Sequence, residues 1–142
     1  MVKAKDFWRY FCGVLGYRFF AGVPCKGLRP LFDKMDSKFM HYIPAVNEQI
    51  SIGLVNGAYI ANVNSAVLMS SAKIDKLNLD FNIHNLIPLL IIASGNSKPK
   101  FQKEIYSLEL TDDLEGCLNR ITGHIISRGK PGVLFIREGV LQ

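Results

Sequence analysis

The strongest constraint on this chain is a repeated change of apolar period. Short continuous apolar runs alternate with stretches whose apolar residues recur at helical spacing. Runs at 17–23, 65–69, 86–93, 105–110 and 133–137 read as strands, and 38–46 holds another that must end near Pro44. Between them, 6–15 reads as a helix with Phe7, Tyr10, Phe11, Val14 and Leu15 on one side. A short helix is expected at 28–35, a longer one from an Asn47 N-cap to about Ala61, and one with acidic residues in its first turn at 112–128. Residues 74–82 read as a helix or irregular turn, and 95–102 as a polar loop containing Pro99. Strands that alternate with helices form a parallel sheet covered on both faces. The expected fold class is therefore α/β, a three-layer α/β/α arrangement with a mostly parallel sheet of about six strands.

A length of 142 residues suits one domain spanning 1–142. The longest apolar run, 86–93, is interrupted by Pro88 and falls well short of the roughly 20 residues that cross a bilayer. Lys3, Lys5, Asp6 and Arg9 break up the N-terminal apolar residues, unlike a secretory signal. Cys12, Cys25 and Cys117 are an odd number without CxxC spacing, which fits reduced thiols and a cytoplasmic location. The net charge of +5 comes from scattered lysines and arginines that form no block, so neither a nucleic-acid partner nor a membrane partner is expected. His41, His84 and His124 share no ligand spacing, so no metal site is expected from this chain.

In an open α/β sheet, ligands gather beyond the carboxyl ends of the strands. Three stretches fall on that rim. Pro24, Cys25 and Lys26 follow the first strand, Glu48 opens the helix after the second, and Ser70, Ser71 and Lys73 follow the third. Each has an ordinary structural explanation as well: a first-turn carboxylate complements the helix dipole, a lone cysteine is commonly an inert thiol, and small polar residues cap helices. Gly53, Gly57 and Ala61 recur every four residues along the Asn47 helix. That bare face either packs on the sheet or admits another subunit.

The order of motifs resembles the pyrimidine-binding domain of thiamine-diphosphate enzymes, in the branch of sulfopyruvate and phosphonopyruvate decarboxylase alpha subunits. The resemblance rests on Phe20-Ala21-Gly22-Val23-Pro24-Cys25, then Ala45-Val46-Asn47-Glu48-Gln49 leading into Gly57-Ala58-Tyr59-Ile60-Ala61, then Ala66-Val67-Leu68-Met69. It continues through Asn85-Leu86-Ile87-Pro88-Leu89-Leu90-Ile91-Ile92 to Lys130-Pro131-Gly132-Val133-Leu134-Phe135-Ile136-Arg137. The resemblance implies a thiamine-diphosphate-binding fold. It also implies that Glu48 hydrogen-bonds a ring nitrogen of the cofactor's aminopyrimidine and so activates the thiazolium for attack on a 2-keto acid. Pro24, Ser70 and Ser71 are then cofactor-binding candidates, and Cys25, Lys26 and Lys73 substrate-binding candidates. The role asks for a Glu48 carboxylate shielded from water, with Ile43, Val46 and Ile50 as its apolar neighbours.

Two departures shape the functional expectation. Nothing in the chain matches the Gly-Asp-Gly and Asn motif that holds the magnesium ion and the diphosphate in the family. The resemblance therefore implies an alpha-type subunit whose diphosphate-binding beta-type partner carries Mg2+, in a hetero-oligomer built on a dimer of pyrimidine-binding domains. The turn Ser70-Ser71-Ala72-Lys73 also replaces the Gln-Asn-Ser-Gly type turn usual in this branch. The first expectation is a decarboxylase subunit acting on a small 2-keto acid with an anionic tail, for which the surplus positive charge and Lys26 and Lys73 are suited. The alternatives are a catalytically silent or regulatory homologue, or a subunit of a carboligase of the acetolactate synthase kind.

Overall fold

A computed structural model of the chain describes residues 1–77, 87–98 and 105–142. In chain order its elements are α1 (Ala4–Gly13), β1 (Phe19–Gly22), a 3-10 turn (Lys26–Leu28), α2 (Arg29–Asp33), β2 (His41–Pro44) and α3 (Glu48–Ile60). There follow β3 (Ser65–Ser70), a 3-10 helix (Ser71–Lys76), β4 (Leu90–Gly95), β5 (Tyr106–Glu109), α4 (Leu114–Arg128) and β6 (Gly132–Arg137). The six strands form one sheet in the order β2-β1-β3-β4-β6-β5, and every pairing is parallel. The α/β class expected from the changing period is the observed one.

Side chains alternate across the sheet with period two, so each strand feeds both layers. Phe20, Leu68, Ile92 and Leu134 face a core roofed by α1, α2 and α4, while Ala21, Val67, Ile91 and Val133 face the α3 side. All of these residues are buried, as continuous apolar strands of a covered parallel sheet must be.

α1 is fastened through aromatic packing. Phe11 stacks on Tyr17 with ring centroids 4.2 Å apart, Trp8 meets Phe20 edge-on at 5.0 Å, and the Trp8 Nε1–H donates to the Leu31 carbonyl at 2.8 Å. The last contact also ties α1 to α2 and satisfies a buried donor that would otherwise cost stability.

Local chemistry explains where the element limits differ from those expected. β2 starts at His41 rather than at 38 because residues 36–40 are a turn: the Asp36 carbonyl accepts from the Phe39 and Met40 amides and its Oδ1 from the Lys38 amide. Pro44, which cannot donate, ends this edge strand. Asn47 caps α3 as anticipated, its Oδ1 accepting from the Ile50 amide at 2.9 Å. Asp113 caps α4 in the same way through Gly116. β4 extends to Gly95 because β6 pairs with it that far, through Gly95 opposite Arg137. The 28–35 helix is tighter than expected, beginning with a 3-10 turn at Lys26. The Ser71–Lys76 segment is 3-10, while 78–82 of the expected 74–82 element, 99–102 of the expected loop, Asn85, Leu86 and His84 lie outside the described residues.

The open face of α3 decides against one of the two alternatives for its small-residue stripe. Its buried side chains are Ser51, Ile52, Val55 and Asn56, which turn toward the sheet. Gly53, Gly57 and Ala61 lie on the opposite, exposed side, where an added Cβ on either glycine would meet no atom. The bare stripe is therefore not a helix-to-sheet contact within this chain.

Phe11→Ala should lower the unfolding free energy by about 3–5 kcal/mol, because it empties a fully buried aromatic position. Val14→Ala, at an exposed site near the end of the same helix, should change it by less than about 0.5 kcal/mol. Urea unfolding followed by circular dichroism distinguishes the two.

Candidate functional site

Parallel register sets the geometry of the rim. Gly22 lies opposite Pro44 on one side and Leu68 on the other, and Ser70 lies opposite Ser94. The segments leaving β1, β2, β3 and β4 therefore emerge side by side. The first two are bound together directly: the Gly22 carbonyl accepts from the Ala45 amide at 2.8 Å and from the Tyr42 hydroxyl at 3.3 Å.

Glu48 is the first residue of α3, one position beyond the Asn47 cap, so the positive end of the helix dipole lies beside its carboxylate. It is half-buried, and no hydrogen bond or ion pair to a described residue holds it. The expected apolar shield is present in sequence but open in space. Ile43 is 43% exposed, Val46 89% and Ile50 47%, so none of the three is packed as a lid within this chain. Within this chain alone the expected shielding is incomplete.

Beyond the ends of β1, β3, β4 and β6 lies a cleft of about 620 Å³. It brings together Cys25, Lys26, Ser70 and Ser71 from the rim candidates. Pro24, Glu48 and Lys73 are not in its lining, and Lys73 is exposed. The cleft adds residues that sequence reasoning passed over: Ser94, Asp75, Lys98 and Glu138. Ser94 is 2% exposed, and its Oγ has no hydrogen-bond partner among the described residues, a costly state for a buried hydroxyl. The floor is close-packed at two glycines: a Cβ at Gly27 would force the Ser94 side chain to shift, and one at Gly95 the Ser71 hydroxyl. Ser71 Oγ donates to the Ser97 carbonyl at 3.4 Å, and Arg137 anchors the same loop through the Asn96 carbonyl at 2.8 Å.

The charge of this cleft is balanced, contrary to the idea that the surplus cations gather here. Lys26 and Lys98 face Asp75 and Glu138, and Lys26 Nζ lies 3.8 Å from Glu138. Burial pushes the Cys25 thiol above its ordinary value. The Leu28 and Gly27 amides oppose that shift and the Glu138 carboxylate adds to it. Cys25 is thus a neutral thiol at physiological pH and not an activated nucleophile. Burial raises the Tyr42 hydroxyl as well, with Cys25 contributing. Among the described residues, no three His, Cys, Asp or Glu side chains come together as a metal site requires. His41 is exposed and His124 stacks on Tyr106. Among the described residues, no helix is long and apolar enough to cross a membrane.

With the geometry in place, comparisons with known proteins locate the fold. No family model matches the chain. In sequence it is similar to the sulfopyruvate decarboxylase subunit alpha of Methanococcus maripaludis, 31% identical over 96 residues, covering 63% of this chain and 58% of that one. In structure it matches benzoylformate decarboxylase from Polynucleobacter necessarius with a TM-score of 0.78 at 15% identity, over 96% of this chain and 30% of that one. It also matches 2-oxoglutarate:ferredoxin oxidoreductase from Magnetococcus marinus with a TM-score of 0.71 at 15% identity, over 97% of this chain and 29% of the other. The chain has the thiamine-diphosphate-binding fold. Its resemblance to the pyrimidine-binding domain and to a decarboxylase alpha subunit stands on these matches. The chain spans 58% of the length of the curated relative and less than a third of either solved structure.

The raised Cys25 thiol has a direct consequence. Iodoacetamide should label Cys25 slowly at pH 7, with a rate still climbing above pH 9, while Cys12 and Cys117, both buried, react only after unfolding. Mass spectrometry of timed samples measures this, and fast labelling of Cys25 that is flat between pH 6 and 8 is the opposite result.

Proposed function

We propose that this chain is the aminopyrimidine-holding subunit of a thiamine-diphosphate-dependent 2-keto acid decarboxylase. The observation that carries the reading is the state of Glu48: a half-buried carboxylate without a hydrogen-bond or ion-pair partner among the described residues, in the first turn of α3 at the carboxyl end of β2, in a segment whose Ile43, Val46 and Ile50 are exposed. An acid with no partner among the described residues, in a segment that also exposes apolar side chains, fits a flat heterocycle that offers a ring nitrogen. Bound thiamine diphosphate would supply the nucleophilic carbon and the electron sink for loss of carbon dioxide.

The chain's own contribution follows from where its residues lie. Glu48 would hold a proton between its carboxyl and a ring nitrogen of the aminopyrimidine. Ile43, Val46 and Ile50, once covered by a neighbouring chain, would keep water from that hydrogen bond and strengthen it. Pro24, in the turn after β1, would border the ring. The 620 Å³ cleft would take the substrate, with Ser70, Ser94, whose hydroxyl has no partner among the described residues, and Ser71 once released from the Ser97 carbonyl as neutral donors, and Lys26 released from Glu138 as the charged one. Such donors suit a small 2-keto acid with a sulfonate or phosphonate tail. Lys73, exposed and outside the cleft, would act only at its approach.

The partner would be a diphosphate-binding chain that also holds Mg2+. The exposed stripe of Gly53, Gly57 and Ala61, continued by Ile50 and by Ile60 at 70% exposure, offers a close-approach surface on the outer face of α3 for such assembly. A second reading, a silent homologue, is favoured by one observation: the Ser70–Lys73 turn lacks the family's usual residues.

Mixing the chain with its diphosphate-binding partner, thiamine diphosphate and magnesium should release carbon dioxide from sulfopyruvate or phosphonopyruvate. Glu48→Gln should lower that rate roughly hundredfold or more while leaving assembly intact. Assembly without turnover of any 2-keto acid would mean the silent homologue, and condensed products without net loss of substrate carbon to a free aldehyde would mean a carboligase.

A further inference from the structure

A second cleft lies at the opposite edge of the sheet. Arg18 directly precedes β1 and Met40 directly precedes β2, so this cleft sits where the strands begin, whereas the first sits where they end. It is bounded by α1 on one side and the 34–40 segment on the other, with a volume of about 520 Å³. Its floor is apolar and buried: Trp8, Cys12 and Met40 are each 5% exposed or less. Phe39 forms an open lip at 58% exposure, held by its carbonyl, which accepts from Arg18 Nη1 at 3.3 Å.

The charge at this cleft is one-sided. Lys5, Arg9, Arg18 and Lys34 stand around it, against one acid, Asp36, which already accepts from the Lys38 amide. Arg9 is in an exposed pair with Asp6 at 3.6 Å, but no described acid pairs with Lys5 or Lys34. The substrate cleft, by contrast, balances two cations with two acids. The Arg18 charge reaches the floor: burial raises the Cys12 thiol to about 11, and the guanidinium works against that rise.

We propose that this cleft is a second binding site, for a small amphipathic anion with an apolar body and one carboxylate, sulfonate or phosphate head. The body lies on Trp8, Cys12 and Met40 beneath Phe39, and the head is met by Lys5, Arg18 and Lys34. An apolar floor alone would take any oily molecule, and surface cations alone any anion. Their combination in a bounded cavity selects molecules that carry both features, because the charge gains attraction while the body leaves water. The cations ring the cavity and form no extended track, so a compact ligand suits it better than a polymer. The site touches none of Glu48, Cys25 or Ser94, and it stands whether or not the decarboxylase reading does.

The test uses decanoate as probe, with decanol and acetate as controls. Equilibrium dialysis against the full chain should give one saturable decanoate site, weaker at 0.5 M salt, and the controls should bind at least roughly tenfold less tightly. Trp8 is the only tryptophan in the sequence, so its fluorescence should change in step with occupancy. Lys5→Glu with Lys34→Glu alters exposed side chains that hold no ion pair, so circular dichroism and the unfolding midpoint should stay unchanged. Decanoate affinity should fall roughly tenfold or more. Absence of saturable decanoate binding, equal binding of decanol, or unchanged affinity in the doubly reversed variant would each overturn the proposal.

Discussion

The in-line ending of neighbouring parallel strands is the constraint on which the rest of the molecule depends. Because β1 pairs in register with both β2 and β3, and β3 with β4, the chain leaves the sheet at one level four times. Antiparallel pairing would send alternate connections to opposite edges and separate Glu48 from Cys25 and Ser70. The register is itself fixed by two-sided burial. A slip by one residue would exchange Phe20 and Leu68 with Ala21 and Val67, moving large side chains from the aromatic core under α1 into the smaller space beside α3.

Solvation separates the two ends of the sheet. At the carboxyl end, Glu48 is half-buried in a segment that exposes Ile43, Val46 and Ile50, and the cleft on the same rim balances two cations with two acids. A carboxylate so placed is poorly positioned for chemistry in water and well positioned for chemistry under a cover. The bare glycine side of α3, on the outer face of the same helix, lets another backbone come close. At the amino end four cations stand against one acid around Trp8, an excess the rim cleft lacks.

What the sequence disclosed follows from how local each feature is. Changing apolar period is a local property, so every strand and the three longer helices were readable, and Asn47 announced the start of α3 by its side-chain chemistry. Strand limits were less readable because turns decide them, as Asp36 does for β2. The rim residues Cys25, Lys26, Ser70 and Ser71 could be gathered from topology alone, since each ends or follows a strand. Ser94 was missed because it lies in β4, past the run of large apolar residues, and Glu138 because only β6 pairing carries it to the cleft. The amino-end cleft left no local trace: Trp8, Arg18, Lys34 and Met40 belong to separate segments that only folding assembles. The exposure of Ile43, Val46 and Ile50 was equally hidden, since apolar residues in a run give no sign of which chain will cover them.

The claim that Glu48 works beneath a neighbouring chain is open to direct measurement by carbodiimide labelling of carboxylates, read residue by residue in a mass spectrometer. Alone, the chain should be labelled at Glu48, since its surround is open. After addition of the diphosphate-binding partner and thiamine diphosphate, that label should be lost while Asp33 and Asp112, both exposed, react as before. Equal labelling of Glu48 in the free chain and in the complex would contradict the account.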